Sequence, residues 1–82
     1  MRLMEGENIM FVNLNSVEKV KDFVSITSKM EEEIDLVSGR FVIDAKSIMG
    51  IFSLDLSKPI KVHVVGNEAK LPMLEQLQRF AV

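Results

Sequence analysis

The chain has 82 residues, of which 48% are hydrophobic, and its formal net charge is −2 at neutral pH. This length predicts one compact domain over residues 1–82, too small for a deep cleft between two lobes, and the composition excludes a disordered tail. The ten basic and twelve acidic residues are scattered along the chain without a basic stripe, which argues against nucleic-acid binding. Function is therefore expected on the surface, toward a protein or a small molecule.

The chain contains no cysteine, which excludes disulfides and thiolate chemistry and suits a reducing compartment. Glu5 and Glu7 interrupt the apolar run that a signal peptide would need, and no later segment approaches the ~18 apolar residues of a membrane-spanning helix. We therefore expect a cytoplasmic protein that does not enter a membrane.

The first predicted strand is the apolar run at residues 9–14, and it leads directly into a helix. Asn15 is the predicted N-cap, and Glu18 three residues later completes a variant of the capping box. The helix is predicted to continue to about Met30, because its apolar residues recur mostly at helical spacing. The residues expected on its buried face are Val17, Val20, Phe23, Val24, Ile26 and Met30.

Two short strands are predicted over residues 34–37 and 40–43, after an acidic run that we interpret as a solvated turn. Ser38 and Gly39 join them, and a two-residue link that contains glycine is typical of a tight hairpin. A second helix is predicted from Ser47 to about residue 54. It is too short to persist unless it packs against the sheet or a partner.

A fourth strand is predicted over residues 60–65, where apolar and polar residues alternate. A third helix is predicted to begin between Asn67 and Pro72 and to run to the terminus, because proline is tolerated only in a first helical turn. The order of elements is β-α-β-β-α-β-α. One-faced helices and short strands bury their apolar sides by stacking in two layers, so the predicted fold is α+β, an open-faced β-sandwich.

The segment 42–54 joins a strand that ends in Asp44-Ala45-Lys46 to Ser47 and a short apolar helix. Its pattern, Lys-Ser-Ile-Met-Gly followed by alternating apolar residues, resembles the regulatory serine site of HPr, the small phosphocarrier family of the bacterial sugar phosphotransferase system. Ser47 matches the regulatory serine of that family. The HPr fold has the same order of elements, so the resemblance implies a four-stranded antiparallel sheet covered on one face by three helices.

The HPr family carries phosphate on a histidine at the start of its first helix, and the resemblance places Ser16 at that position. Imidazole accepts and releases a phosphoryl group because its P–N bond is labile, whereas a serine ester is far more inert. The family's arginine two residues later corresponds to Glu18, whose carboxylate repels phosphoryl oxygens that arginine would bind. The chain is therefore similar to HPr-like regulatory proteins that lack the carrier histidine.

His63 is the only histidine, and it falls in the middle of the fourth predicted strand. We interpret it as an exposed residue of the outer sheet face, although an unconventional phosphocarrier in sugar uptake stays open as an alternative. A single histidine without cysteine argues against a metal site. We predict no cofactor and no enzyme activity, because the sequence shows no Gly-rich phosphate loop, Ser-His-Asp set or ligand cluster.

Ser47 has two compatible interpretations: a helix cap, which stabilises by ~1 kcal/mol relative to alanine, and a regulatory phosphorylation site beside Lys46. The apolar residues of the short helix cannot all face inward, so some of them are expected to form an exposed docking patch. The predicted partner-binding residues are Lys46, Ile48, Met49, Ile51 and Phe52. The resemblance implies HPr kinase, other phosphotransferase-system proteins or a transcriptional regulator as partners, and an unregulated protein-interaction module is the remaining alternative.

Overall fold

The computed structural model describes residues 10–64 and 75–82. They form an α+β fold with a four-stranded antiparallel sheet and two α-helices. The strands are β1 (Met10–Val12), β2 (Ile34–Ser38), β3 (Phe41–Asp44) and β4 (Ile60–Val64), in the sheet order β1-β4-β2-β3. The helices are α1 (Val17–Thr27) and α2 (Ile48–Phe52), and a 3₁₀ turn covers Gln78–Phe80. Neither described helix has the length and apolar character needed to cross a membrane.

Buried and accessible residues alternate along β2 and β4, which shows that one face of the sheet is buried. Val62 lies in the middle of the buried face, opposite Leu36 on β2 and Met10 on β1. Helix α1 covers this face with Val20 and Phe23, which are completely buried. The fully or nearly fully buried hydrophobic residues are Val12, Leu14, Val20, Phe23, Met30, Ile34, Leu36, Ala45, Ile51, Leu54, Ile60, Val62, Val64, Leu77 and Phe80.

Ser16, and not Asn15 as predicted, is the N-cap of α1. The Ser16 hydroxyl accepts a hydrogen bond from the Lys19 amide at 3.1 Å, and Asn15 instead accepts one from the Lys19 ammonium at 3.1 Å. Asparagine and serine are both good N-caps, so the sequence around residues 15 and 16 does not show which of the two caps the helix. The helix ends at Thr27, before the predicted end at Met30.

The β2–β3 hairpin turns at Gly39 and Arg40, one residue later than predicted, because Ser38 belongs to β2 and lies opposite Phe41. Gly39 has a φ of 61°, in the left-handed region that side chains disfavour. Glycine at the first central position is the requirement of a type II′ turn, whose twist matches that of the two strands.

The C-terminal residues follow the outer edge of β1. The Asn13 amide donates to the Phe80 carbonyl at 2.8 Å, and the Val82 amide donates to the Phe11 carbonyl at 3.0 Å. The prediction of a helix to the terminus is therefore wrong for the last residues, where Ala81 forms a bridge to Val12. The predicted start of the third helix, between residues 67 and 72, lies outside the described residues.

Candidate regulatory and docking site

Ser47 is the N-cap of α2, as predicted from the sequence. Its backbone is extended, with φ −101° and ψ 104°, and its hydroxyl accepts a hydrogen bond from the Gly50 amide at 3.1 Å. The Ser47 amide donates to the Asp44 carbonyl at 3.0 Å, which ties the helix start to the end of β3. Ser47 is half-buried, so a fixed backbone presents a partly accessible hydroxyl.

Gly50 allows α2 to approach β3 closely. A β-carbon at this position would lie 2.6 Å from Cγ2 of Ile43 and 3.0 Å from Oγ of Ser47. The first distance is shorter than any normal carbon contact, and Cγ2 belongs to a stiff β-branched side chain. The glycine of the Met-Gly pair therefore has a packing role: it seats the helix on the sheet and leaves room for the capping hydroxyl.

Two polar contacts fix the β3–α2 junction against the end of α1. The Thr27 hydroxyl, which is completely buried, donates to the Ala45 carbonyl at 2.9 Å. The Lys46 ammonium donates to the Met30 carbonyl at 2.6 Å, while the Lys46 amide donates to Asp44 Oδ1 at 2.9 Å. The Lys46 ammonium is thus already bonded to the segment that follows α1, and pairing with a phosphate on Ser47 would compete with that bond.

The apolar residues of α2 divide into buried and exposed sides. Ile51 is 0% exposed and belongs to the core, so its prediction as a partner contact is wrong. Ile48 is partly buried and packs against the core, whereas Met49 is 78% and Phe52 40% exposed. In a helix of little more than one turn, residues 48 and 51 share the inward side and Met49 points outward.

A surface cavity of about 480 Å³ lies between the start of α1 and the end of α2. Its lining residues are Asn15, Ser16, Val17, Phe52, Leu56 and Ser57. Ser16, the predicted position of the lost carrier histidine, therefore lies on the same surface as the end of α2. Val17, predicted to be core, is 59% exposed at this surface. Val17 is the first residue of α1, and its helical spacing with Val20 and Val24 did not show that it is exposed.

The loop after α2 is held by Asp55. The Ser57 hydroxyl donates to Asp55 Oδ1 at 2.6 Å and the Ser57 amide donates to the same oxygen at 3.2 Å. These two hydrogen bonds, with a smaller contribution from the Lys58 ammonium at 4.0 Å, hold the pKa of Asp55 below its usual value. The ionised carboxylate thus orders the loop that carries Ser57 to the cavity.

His63 lies on the face of the sheet that α1 does not cover. It is exposed on β4, and its Cα partner on β2 is Asp35. The sheet separates His63 from the start of α1, so the two do not form one site. Within residues 10–64 and 75–82, no three histidine or carboxylate side chains are grouped so as to hold a metal ion.

Comparison with known proteins identifies the fold of this chain but does not assign the chain to a family. No protein-family model and no curated protein sequence matches the chain. Among solved structures, the chain is similar to the crystal structure of HPr-C-His from Thermoanaerobacter tengcongensis, with 22% sequence identity over 89% of each chain and a TM-score of 0.72. At this identity the likeness shows the fold: the chain has an HPr-like fold.

Proposed function

We propose that this protein is an HPr-like regulatory docking protein that lacks the phosphocarrier histidine and acts through Ser47 and α2. One observation carries the proposal. Ser47 caps a short helix at which Met49 is 78% exposed, so a modifiable hydroxyl lies two residues from an exposed apolar contact. A phosphate on Ser47 adds ≈ −1.5 to −2 charge at pH 7, enough to change which surfaces this patch can bind.

The start of α1 supports the loss of the carrier function. Its N-cap is Ser16, whose hydroxyl already accepts a hydrogen bond within the helix, and Glu18 lies in the first turn. Neither group forms the labile P–N bond of a phosphohistidine. The Glu18 carboxylate also disfavours the approach of a phosphoryl group. We therefore infer that the surface around Ser16 contacts partners and does not relay phosphate.

Phosphorylation at Ser47 is compatible with the local structure. The hydroxyl oxygen acts as an acceptor toward the Gly50 amide, and phosphate oxygens are stronger acceptors than a hydroxyl. The cap therefore survives the modification while the charge of the docking patch changes. Release of Lys46 from the Met30 carbonyl would give the phosphate a cation at the cost of one hydrogen bond to the segment after α1.

The docking surface that we propose combines the exposed residues of α2 with the start of α1. Met49, Phe52 and Val17 supply accessible apolar area, while Ile48 and Lys46 contribute at the margin. An adaptable methionine among exposed apolar residues suits a protein partner. HPr kinase, another phosphotransferase-system protein or a transcriptional regulator is the proposed partner class, and an ATP-dependent kinase of this kind implies a cytoplasmic location.

The kinase reaction tests the proposal directly. The purified chain is incubated with HPr kinase and ATP, and the modified residue is located by peptide mass spectrometry. We expect one phosphoryl group on Ser47, absent from Ser47→Ala. Ser25→Ala is the control, because Ser25 is an exposed serine of α1 outside the proposed docking surface, and this change should leave the label unchanged. Absence of label on the parent chain would contradict the regulatory role.

A second measurement tests the docking surface. Met49→Ala should raise the KM of the kinase for this chain, because it removes exposed contact area beside Ser47. Val82→Ala is the control, since Val82 is 69% exposed at the C-terminus, away from α2. Equal KM values for both variants would contradict docking through α2. Partner binding that is insensitive to Ser47→Asp and to the kinase would select an unregulated interaction module instead.

A further inference from the structure

The two edges of the sheet differ in how they are covered. The edge at β1 is occupied by the C-terminal residues, which exchange hydrogen bonds with Phe11 and Asn13. The edge at β3 is paired with no other strand among the residues that the structure describes. Phe41 and Val42 on this strand are each 62% exposed. An exposed strand edge with large apolar side chains is a template for pairing with another strand.

The hydrogen-bond phase of the hairpin identifies which groups of β3 face outward. The Ala45 amide donates to the Ile34 carbonyl at 2.9 Å, so bonded pairs with β2 recur at Ile43 and Phe41. The backbone groups of Val42 and Asp44 therefore point away from β2. The Asp44 carbonyl accepts from the Ser47 amide, so within residues 10–64 and 75–82 the N–H and C=O of Val42 and the N–H of Asp44 are left for an added strand.

We propose that β3 pairs antiparallel with β3 of a second copy of this chain, about a two-fold axis at Val42. This surface is distinct from the docking surface of α2 and goes beyond the proposed function. In this register Val42 faces Val42 of the second copy, and its two outward backbone groups form a bonded pair. Arg40 then lies opposite Asp44 of the second copy, and the symmetry repeats this charge pair on the other side of the axis.

Charge complementarity favours this register. Asp44 lies directly opposite Asp35 within the hairpin, and two carboxylates in such a pair repel each other. Asp44 binds the Lys46 amide through Oδ1, and its second carboxylate oxygen is available to the Arg40 guanidinium of the second copy. A register centred one residue later, on Ile43, would place Arg40 opposite Lys46 and bring like charges together.

The apolar residues also match in the proposed register. Phe41 faces Ile43 of the second copy on the helix side of the sheet, where Ile43 is only partly buried. On the other side, the two Val42 side chains meet next to Val37, which lies opposite Val42 within each hairpin. Because β3 has four residues, the interface is small and association is expected to be weak and concentration-dependent.

A charge exchange tests this interface by sedimentation over a range of protein concentrations. Arg40→Glu and Asp44→Arg each place like charges opposite each other in a self-pair and should weaken self-association by about tenfold or more. An equimolar mixture of the two variants restores opposite charges at both pairs and should associate again. Lys21→Glu, an equal charge change at an exposed position of α1, should associate like the parent chain.

Amide hydrogen exchange on the parent chain gives an independent readout that needs no substitution. The Val42 amide should become more protected as protein concentration rises, while the Ile43 amide, bonded to β2, stays protected throughout. A parent chain that is monomeric at all concentrations would overturn the proposal. Dimers that persist in both single variants, or association in which Val42 stays unprotected, would equally overturn it, because the contact would then lie elsewhere.

Discussion

The starts of the two helices use the same cap in different surroundings. Ser16 and Ser47 each accept a hydrogen bond from the amide three residues later, at 3.1 Å in both cases. Ser16 opens an 11-residue helix that is anchored by its own buried face, whereas Ser47 opens a 5-residue helix that depends on the sheet beneath it. A serine that caps a helix therefore does not indicate a function by itself, because its role depends on the charge and packing of the residues around it.

Those neighbours differ in charge and in packing. The first turn of α1 carries Glu18, while the first turn of α2 has no acidic residue and contains Gly50. The junction before Ser47 is also bonded, through the Lys46 ammonium, to the Met30 carbonyl in the segment after α1. A phosphate is therefore better tolerated at Ser47 than at Ser16.

Phe23→Ala tests the anchoring of the longer helix. Phe23 is completely buried and meets the ring of Phe80 edge to face, with centroids 5.3 Å apart. Its truncation should lower the free energy of unfolding by about 3–5 kcal/mol, measured by urea denaturation. Val17→Ala, at an exposed position of the same helix, should change it by about 0.5 kcal/mol or less. Similar losses in the two variants would contradict the burial assigned to this helix.

Gly50→Ala tests the dependence of the shorter helix on the sheet. The added methyl group would meet Cγ2 of Ile43 at 2.6 Å, so we expect a loss of about 1–3 kcal/mol in the free energy of unfolding. The loss should be smaller in an Ile43→Ala background, which removes the clashing atom. An equal loss in both backgrounds would show that the contact with β3 does not determine the effect.

Ser16→Ala and Ser47→Ala test the equivalence of the caps. Each should lower the free energy of unfolding by about 1 kcal/mol, because each leaves one helical amide without its acceptor. Asn15→Ala should have a smaller effect, since the Asn15 side chain accepts only from the exposed Lys19 ammonium. A larger loss for Asn15→Ala than for Ser16→Ala would contradict the cap seen in the structure.

The pH dependence of stability tests the loop that follows α2. The pKa of Asp55 is lowered from 3.8 by the Ser57 hydroxyl, then by the Ser57 amide and Lys58. Its stabilising contribution is therefore present above the unfolded pKa and is lost as pH falls through the lower folded pKa. In the parent chain the free energy of unfolding should therefore fall slightly as the pH drops below ~4. Asp55→Asn should remove this small decrease and leave the pH dependence above it unchanged. A curve identical to that of the parent chain would contradict this assignment.

The sequence was sufficient for the elements whose patterns are local. Alternation predicted β4, the short link that contains Gly39 predicted the hairpin of β2 and β3, and Ser47 followed by an apolar run predicted a capped α2. In each case the residues that form the element are also the residues from which it is predicted. The predicted α+β class is confirmed by the sheet and the two helices that the structure describes.

Other features depend on contacts between distant segments and were not predictable. Asparagine and serine are equally good caps, so the local sequence does not show that Ser16 and not Asn15 caps α1. The five-residue α2 has no periodicity to show that Ile51 faces the core while Met49 faces solvent. The hydrogen bonds from Thr27 to Ala45 and from Lys46 to Met30 join residues that are 18 and 16 positions apart in the sequence. Such contacts are fixed only by the tertiary fold.

Phosphoryl transfer from two donors, run in parallel on the same purified chain, tests the central claim most directly. One reaction contains ATP and HPr kinase, and the other contains phosphoenolpyruvate and enzyme I. We expect an acid-stable phosphoryl group on Ser47 in the first reaction and no phosphoprotein in the second. An acid-labile phosphohistidine on His63 in the second reaction, with Ser47 unmodified in the first, would contradict it.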